Sequence, residues 1–191
     1  INELVDMNVS GMAVFPLDNP HIFSRVNHLI ENQMAVITFN SKVAGIHHLS
    51  FIGPDHYKGG RTAAGLISKI CPPDTNIGVI ISSHNLSCHQ DRLRGFEDKL
   101  AELNSDFKIL DIQENQDRKD DAFRITLEYC NNYPELGAIY LTSGGITGVA
   151  SALEIAEKTQ QIKVICHDIT TDTVPLLKKG VVDFALGQSP V

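Results

Sequence analysis

Carboxylates, amides, hydroxyls and imidazoles recur at one kind of place in this chain, just after each apolar run. After residues 11–15 come Asp18 and Asn19, after 34–39 comes Asn40, and after 48–52 comes Asp55. After 77–81 come His84 and Asn85, after 108–112 come Gln113 and Glu114, and after 138–141 come Thr142 and Ser143. After 162–166 come His167 and Asp168, and after 183–186 comes Gln188. Groups of this mix complement a neutral, polyhydroxylated ligand. Carboxylates accept from hydroxyls, an arginine such as Arg92 donates as a fork, and amides do both. Singly, each is an ordinary turn residue, and Asp55 and Asp168 stand where they could cap a following helix. The repetition is what suggests a site.

Other chemistries lack their residues. There is no GxxxxGK[ST] phosphate loop, no GxGxxG dinucleotide turn and no GxSxG nucleophile elbow. The segment Ser143-Gly144-Gly145-Ile146-Thr147-Gly148 is glycine-rich and opens a helix. Its amides could face an anion or a ligand hydroxyl, but close helix–strand packing accounts for the glycines as well. His84, Cys88 and His89 include an i, i+4 pair, yet no third and fourth ligand accompany them. Asp55 and Asp168 could act as an acid–base pair only with a nucleophile that nothing in the sequence supplies. We therefore expect no catalysis, no cofactor and no bound metal. Cys71, Cys88, Cys130 and Cys166 form no CxxC pair, and Cys130 and Cys166 sit in apolar runs. They read as free thiols in a reducing compartment.

The apolar runs are the strands that must carry those residues. Runs such as IGVII and VVDFAL are continuously apolar, as in parallel strands covered on both faces. Helical stripes lie between them: Ala63, Leu66, Ile67 and Ile70; Leu93, Phe96, Leu100 and Leu103; Ile146, Val149, Ala150, Leu153 and Ala156. Asn19-Pro20 is an N-cap with proline at N1, and Lys178-Lys179-Gly180 is a basic last turn with a glycine stop. A βαβ series of this kind builds parallel sheets with right-handed crossovers and helices on both faces. In such sheets ligands bind beyond the carboxyl ends of the strands, so the polar residues should share one rim per sheet.

With 191 residues the chain suffices for one domain or two small lobes. The stiff Cys71-Pro72-Pro73-Asp74 stretch suggests a boundary, giving an N-terminal lobe over 1–72 and a C-terminal lobe over 73–191. The chain opens on a helix end and stops just after a strand, so we expect a segment trimmed at both ends, with the first lobe incomplete. No stretch approaches the ~20 apolar residues of a membrane span. A net charge of −7 without a Lys/Arg cluster argues against direct nucleic-acid binding.

Four ordered stretches carry a family resemblance. They are Gly53-Pro54-Asp55 through Gly59-Gly60; Asp91-Arg92 through Gly95-Phe96; Gly137 through Gly148; and Val164 through Asp168 and Gly180 to Gly187-Gln188. Together they resemble the sugar-sensing domain shared by LacI-type transcriptional repressors and periplasmic ribose-type binding proteins. Departures are Thr142-Ser143, where the family often has Asn-Asp, and Cys166-His167, where it usually has Gly-aromatic. The resemblance implies the periplasmic binding protein type I fold, an α/β arrangement of two Rossmann-like lobes. It implies ligand contacts from Asp55 in the first lobe and from Arg92, Asp168 and Gln188 in the second lobe and hinge, with Ser143 as a further contact and His167 as a neighbour. It implies hinges near 71–75 and 187–191. The function expected is that of the effector-binding part of a cytoplasmic LacI-type regulator, without enzymatic activity. A small sugar would bind between the lobes of a homodimer, and operator DNA would be reached only through an upstream helix-turn-helix module missing here. The alternative is a sugar-binding protein of an ABC transporter.

Overall fold

The computed structural model describes residues 1–103 and 106–188. In chain order the elements are α1 (Asn2–Asp6), β1 (Gly11–Val14), α2 (Pro20–Glu31), β2 (Ala35–Phe39), β3 (Ser50–Ile52), α3 (His56–Ile70), β4 (Asn76–Ile81), α4 (Ser87–Glu102), β5 (Lys108–Glu114), α5 (Lys119–Asn132), β6 (Leu136–Leu141), α6 (Ile146–Ile155), β7 (Lys163–His167), α7 (Thr173–Lys178) and β8 (Phe184–Leu186). Each expected apolar run is a strand, and every strand pair is parallel. The sheets are a three-stranded one, ordered β1-β2-β3, and a five-stranded one, ordered β5-β4-β6-β7-β8.

The described residues divide into two units, the first built on residues 1–54 and 85–88, the second on residues 55–84 and 89–188. In the first unit, α2 starts where expected. Asn19 Oδ1 accepts from the His21 amide at 2.8 Å, and Pro20 occupies the first turn. Val26 and Leu29 of α2 pack on Met12, Val14 and Val36 of the sheet.

In the second unit the strands alternate between two layers. Ile77, Val79 and Ile81 of β4, with Ala138 and Tyr140 of β6, face Ala63, Ala64 and Ile67 of α3 and Phe96 of α4. Ile80, Ile139, Leu141, Val164 and Cys166 face Ile125 and Tyr129 of α5 and Val149 and Leu153 of α6. This is the doubly wound arrangement expected from the continuous apolar runs.

The layer containing α3 corrects the expected lobe boundary at 72/73. The chain divides near Pro54, because the apolar stripe of α3 is buried against the five-stranded sheet. Pro72-Pro73 is a turn inside the second unit, where Thr75 donates its amide and hydroxyl to the Pro72 carbonyl at 3.2 and 2.8 Å. The stretch expected as a hinge at 71–75 is therefore a hydrogen-bonded turn within the second unit. Of the hinge expected at 187–191, residues 189–191 lie outside the described residues. The four cysteines are free thiols, with Cys88, Cys130 and Cys166 buried. No helix among the described residues is long and apolar enough to cross a membrane.

One close backbone approach sets the position of Arg92. A Cβ on Gly60 of α3 would lie 1.9 Å from the Arg92 carbonyl oxygen of α4, and one on Gly95 would lie 2.0 Å from that of Tyr57. The two helices thus cross backbone to backbone, which glycine alone permits. That crossing fixes the height of Arg92 on α4.

Candidate functional site

In the strand order β5-β4-β6-β7-β8, the direction of winding reverses between β4 and β6. A crevice opens at such a switch point beyond the strand ends. Arg92 and His89, one turn apart on α4, converge there on Thr142, the first residue after β6. Arg92 Nη1 donates to the Thr142 carbonyl at 2.5 Å, and His89 Nδ1 and the Thr142 hydroxyl are hydrogen-bonded at 2.9 Å. All three are buried, Arg92 to 5% exposure. No carboxylate among the described residues pairs with Arg92, and its Nε is buried without a partner. Such an orphaned donor is rare and marks either stored strain or an absent acceptor. Burial first, and then the Arg92 charge, pull the His89 pKa down to about 4, so its imidazole is neutral at ordinary pH.

Next to this group lies a cavity of about 390 Å³, lined by Asp117, Ser143, His167, Asp168, Thr170 and Thr173 among others. Asn115 anchors its floor. Its side chain accepts from the Ser143 hydroxyl at 2.9 Å and donates to the Gly144 carbonyl at 2.7 Å. Asp117 accepts from the Ser82 hydroxyl at 2.7 Å and from the Gly144 amide at 2.8 Å. The loops after β4, β5 and β6 are thereby tied into one rim. Asp168 sits in the left-handed region at φ 69°, its amide bonded to the Leu186 carbonyl at 2.9 Å. Its carboxylate accepts from Gln188 Nε2 at 2.5 Å. Asp117, at φ 57°, shares the unusual backbone state.

His167, the last residue of β7, is buried to 7% exposure beneath Asp168. Its Nε2 is hydrogen-bonded to the Tyr140 hydroxyl at 2.8 Å. Burial and the neighbouring Arg92 depress its pKa to about 2. Among the described residues no group of three histidine, cysteine, aspartate or glutamate side chains could hold a metal ion.

The structure therefore brings Ser143, Asp168 and Gln188 onto one rim, with Arg92 adjoining it through Thr142. Asp55 stands apart. It lies at the start of the second unit rather than in the first lobe, because α3 packs with the second sheet. It is the N-cap of α3, accepting from the Lys58 amide at 2.9 Å and pairing with Lys58 Nζ at 3.2 Å. Gln113 and Glu114, expected on the rim, end β5 instead. Gln113 bonds Asp111, and Glu114 accepts from the His84 amide. The rim positions pass to Asn115 and Asp117, which the sequence reading misses, as it misses the roles of His89, Thr142 and Tyr140. The apolar–polar alternation Leu110-Asp111-Ile112-Gln113 is the signal that would carry β5 past Ile112. Nothing in the apolar run around Tyr140 marks its hydroxyl.

Known proteins share this architecture. The family model described as a periplasmic binding protein domain matches residues 1–191. The D-ribose/D-allose-binding protein of Pseudomonas aeruginosa is 22% identical over 187 residues, spanning 94% of this chain and 58% of that protein. The chain thus covers little more than half the length of that relative. The crystal structure of GanP, a glucose-galactose binding protein from Geobacillus stearothermophilus, superposes with a TM-score of 0.91 at 22% identity, covering 99% of this chain and 68% of that one. A fructose-binding periplasmic domain of a hybrid two-component system gives a TM-score of 0.92 at 17% identity, covering 99% of this chain and 64% of the other. The two solved structures share the α/β fold of this chain, and the family match runs from the first residue to the last. The chain belongs to the periplasmic binding protein domain family.

Proposed function

We propose that this chain is the sugar-binding component of a transport system, holding a small neutral sugar on the strand-end rim of its second unit. The observation that carries this reading is the cavity of about 390 Å³ at that rim, walled by the Asp168 carboxylate, the Ser143, Thr170 and Thr173 side chains and the His167 imidazole. Its volume falls in the usual range for small-molecule sites. Carboxylates and arginine in one rim serve hydroxyls as acceptors and donors, and the acidic side chains on the walls disfavour an anionic ligand.

In this reading Asp168 accepts from ligand hydroxyls, Gln188 holds its carboxylate in place, Arg92 donates, and Ser143 contributes from the cavity wall. Asp55 positions α3 through its cap. No nucleophile or poised acid–base pair is assigned, so the bound sugar is released unchanged. The Pseudomonas and Geobacillus relatives are sugar-binding proteins, and the third is a two-component sensor domain. None of the three is a repressor, which favours transport over the LacI-type reading with its homodimer, operator DNA and cytoplasmic location.

Calorimetric titration with D-ribose, D-allose, D-glucose, D-galactose and D-fructose tests the proposal. At least one should bind, and Asp168→Asn should weaken that binding by about 1–3 kcal/mol. Absence of binding by all five, or an unchanged affinity in the variant, overturns it.

A further inference from the structure

His167 enters the cavity wall with only one of its ring nitrogens accounted for. Nε2 lies 2.8 Å from the Tyr140 hydroxyl. Tyr140 is fully buried, stacked on Phe96 with ring centroids 4.5 Å apart. Among the described residues, its hydroxyl has no hydrogen-bond partner other than His167.

Proton accounting then selects one arrangement. If Nε2 carried the hydrogen and donated to the phenol oxygen, the phenol's own hydrogen would be buried with no acceptor. A buried donor left unmade is costly. If the phenol donates to Nε2, both groups are satisfied. Tyr140 keeps its hydrogen because burial pushes its pKa far above the usual tyrosine range, and His167 stays neutral because burial and Arg92 hold its own pKa down. A neutral imidazole that accepts at Nε2 must carry its hydrogen at Nδ1. No described residue bonds to Nδ1, and Nδ1 is not among the buried unpartnered atoms, which are Thr38 Oγ1, His48 Nδ1 and Arg92 Nε. On its α3 side the ring faces Gly59, where a Cβ would lie 3.3 Å from His167 Cε1, so the glycine leaves room for the imidazole.

We propose that His167 is a specificity-determining residue of the ligand site, with Tyr140 as its positioning residue: the hydrogen bond from Tyr140 fixes the Nδ1–H form, which offers a donor to an oxygen of the bound sugar beside the Asp168 carboxylate. The inference rests on the sugar-binding reading. It goes further by requiring an acceptor oxygen on the ligand next to a hydroxyl that donates to Asp168. A donor and an acceptor side by side select for the orientation of adjacent ring substituents, so epimers at that position are distinguished.

Two measurements test it. In the ligand-free protein, long-range nitrogen–proton correlation spectra of ¹⁵N-histidine-labelled chain should show His167 protonated at Nδ1 and bare at Nε2, and Tyr140→Phe should remove that preference. A bare Nδ1 in the unsubstituted protein overturns the proposal without touching the sugar reading. Titrations with D-ribose, D-allose, D-glucose, D-galactose and D-fructose then read the role. His167→Phe should lose about tenfold or more in affinity for the sugar that binds. His167→Asn, whose amide N–H stands near the place of Nδ1–H, should recover most of that loss, and His167→Gln should not. Equal affinities in His167→Phe and the unsubstituted protein overturn the specificity role. Failure of all five sugars to bind the unsubstituted protein overturns the sugar reading and this role with it.

Discussion

The two sheets are made of similar residues and are used differently. In β4, five of six residues are buried, in the pattern iBBBBB, whereas β1 alternates eBeB and β2 reads eBiBe. Strands of the five-stranded sheet feed two core layers, one on each face. Those of the three-stranded sheet feed one, and their other residues include Phe39 at 41% and Ile52 at 55% exposure. The site follows the same division. The loops that make the rim spring from strands clamped on both faces, which limits how far the rim residues can drift.

The largest consequence should appear in core truncations. Ile80→Ala, in the layer under α5, should cost about 2–5 kcal/mol, while Ile52→Ala on the three-stranded sheet should cost about 0.5 kcal/mol. Urea denaturation followed by circular dichroism measures both, and equal losses would erase the distinction. Gly60→Ala comes next. Its Cβ would force α3 off the Arg92 backbone, and overpacking of this kind costs about 1–3 kcal/mol. The change should also lower sugar affinity, because it shifts α3 against the helix that carries Arg92.

A pH effect follows in size. Both His89 and His167 have pKa values below the ordinary histidine value of 6.5, at about 4 and about 2. Between those values and 6.5 the unfolded chain binds more protons than the folded one, so stability rises with pH in that window. Acidifying from about 6.5 should therefore destabilise the second unit, with the His89 contribution ending near pH 4 and that of His167 lower. A His89→Gln His167→Gln double variant should flatten this slope in melts recorded across pH. The smallest effect belongs to the first unit. Asn19→Ala removes the cap bond of α2 and should cost about 1 kcal/mol, leaving hydrogen exchange in β4 and β6 unchanged.

Much of this fold can be read from the chain because its signals are local. Eight apolar runs, the Asn19-Pro20 start and the Gly180 stop each depend on a few neighbouring residues. The boundary is hidden for the opposite reason. The stripe of Ala63, Leu66, Ile67 and Ile70 says that α3 is buried, but not which sheet buries it. A double proline reads as a linker, although a corner between α3 and β4 needs the same residues. The rim is partly legible because Ser143, Asp168 and Gln188 follow apolar runs closely. Asn115 and Asp117 are hidden by β5, an edge strand whose outer residues, such as Gln113 and Glu114, can be polar without ending it. Tyr140 and His89 act through partners 27 and 53 residues away, and no spacing rule reports contacts of that range.

The bond between Tyr140 and His167 also has an optical consequence. The chain contains no tryptophan and four tyrosines, so its near-ultraviolet emission is tyrosine emission. A phenol that hands its hydrogen bond to an imidazole nitrogen loses excited-state energy through partial proton transfer, so Tyr140 should emit less than a solvated tyrosine. A ligand oxygen that accepts from Nδ1–H raises the basicity of Nε2, strengthens its bond to the phenol and should dim Tyr140 further. A fall in tyrosine emission on titration would then report events in the cavity without a dye, from a ring one hydrogen bond behind the imidazole that lines its wall.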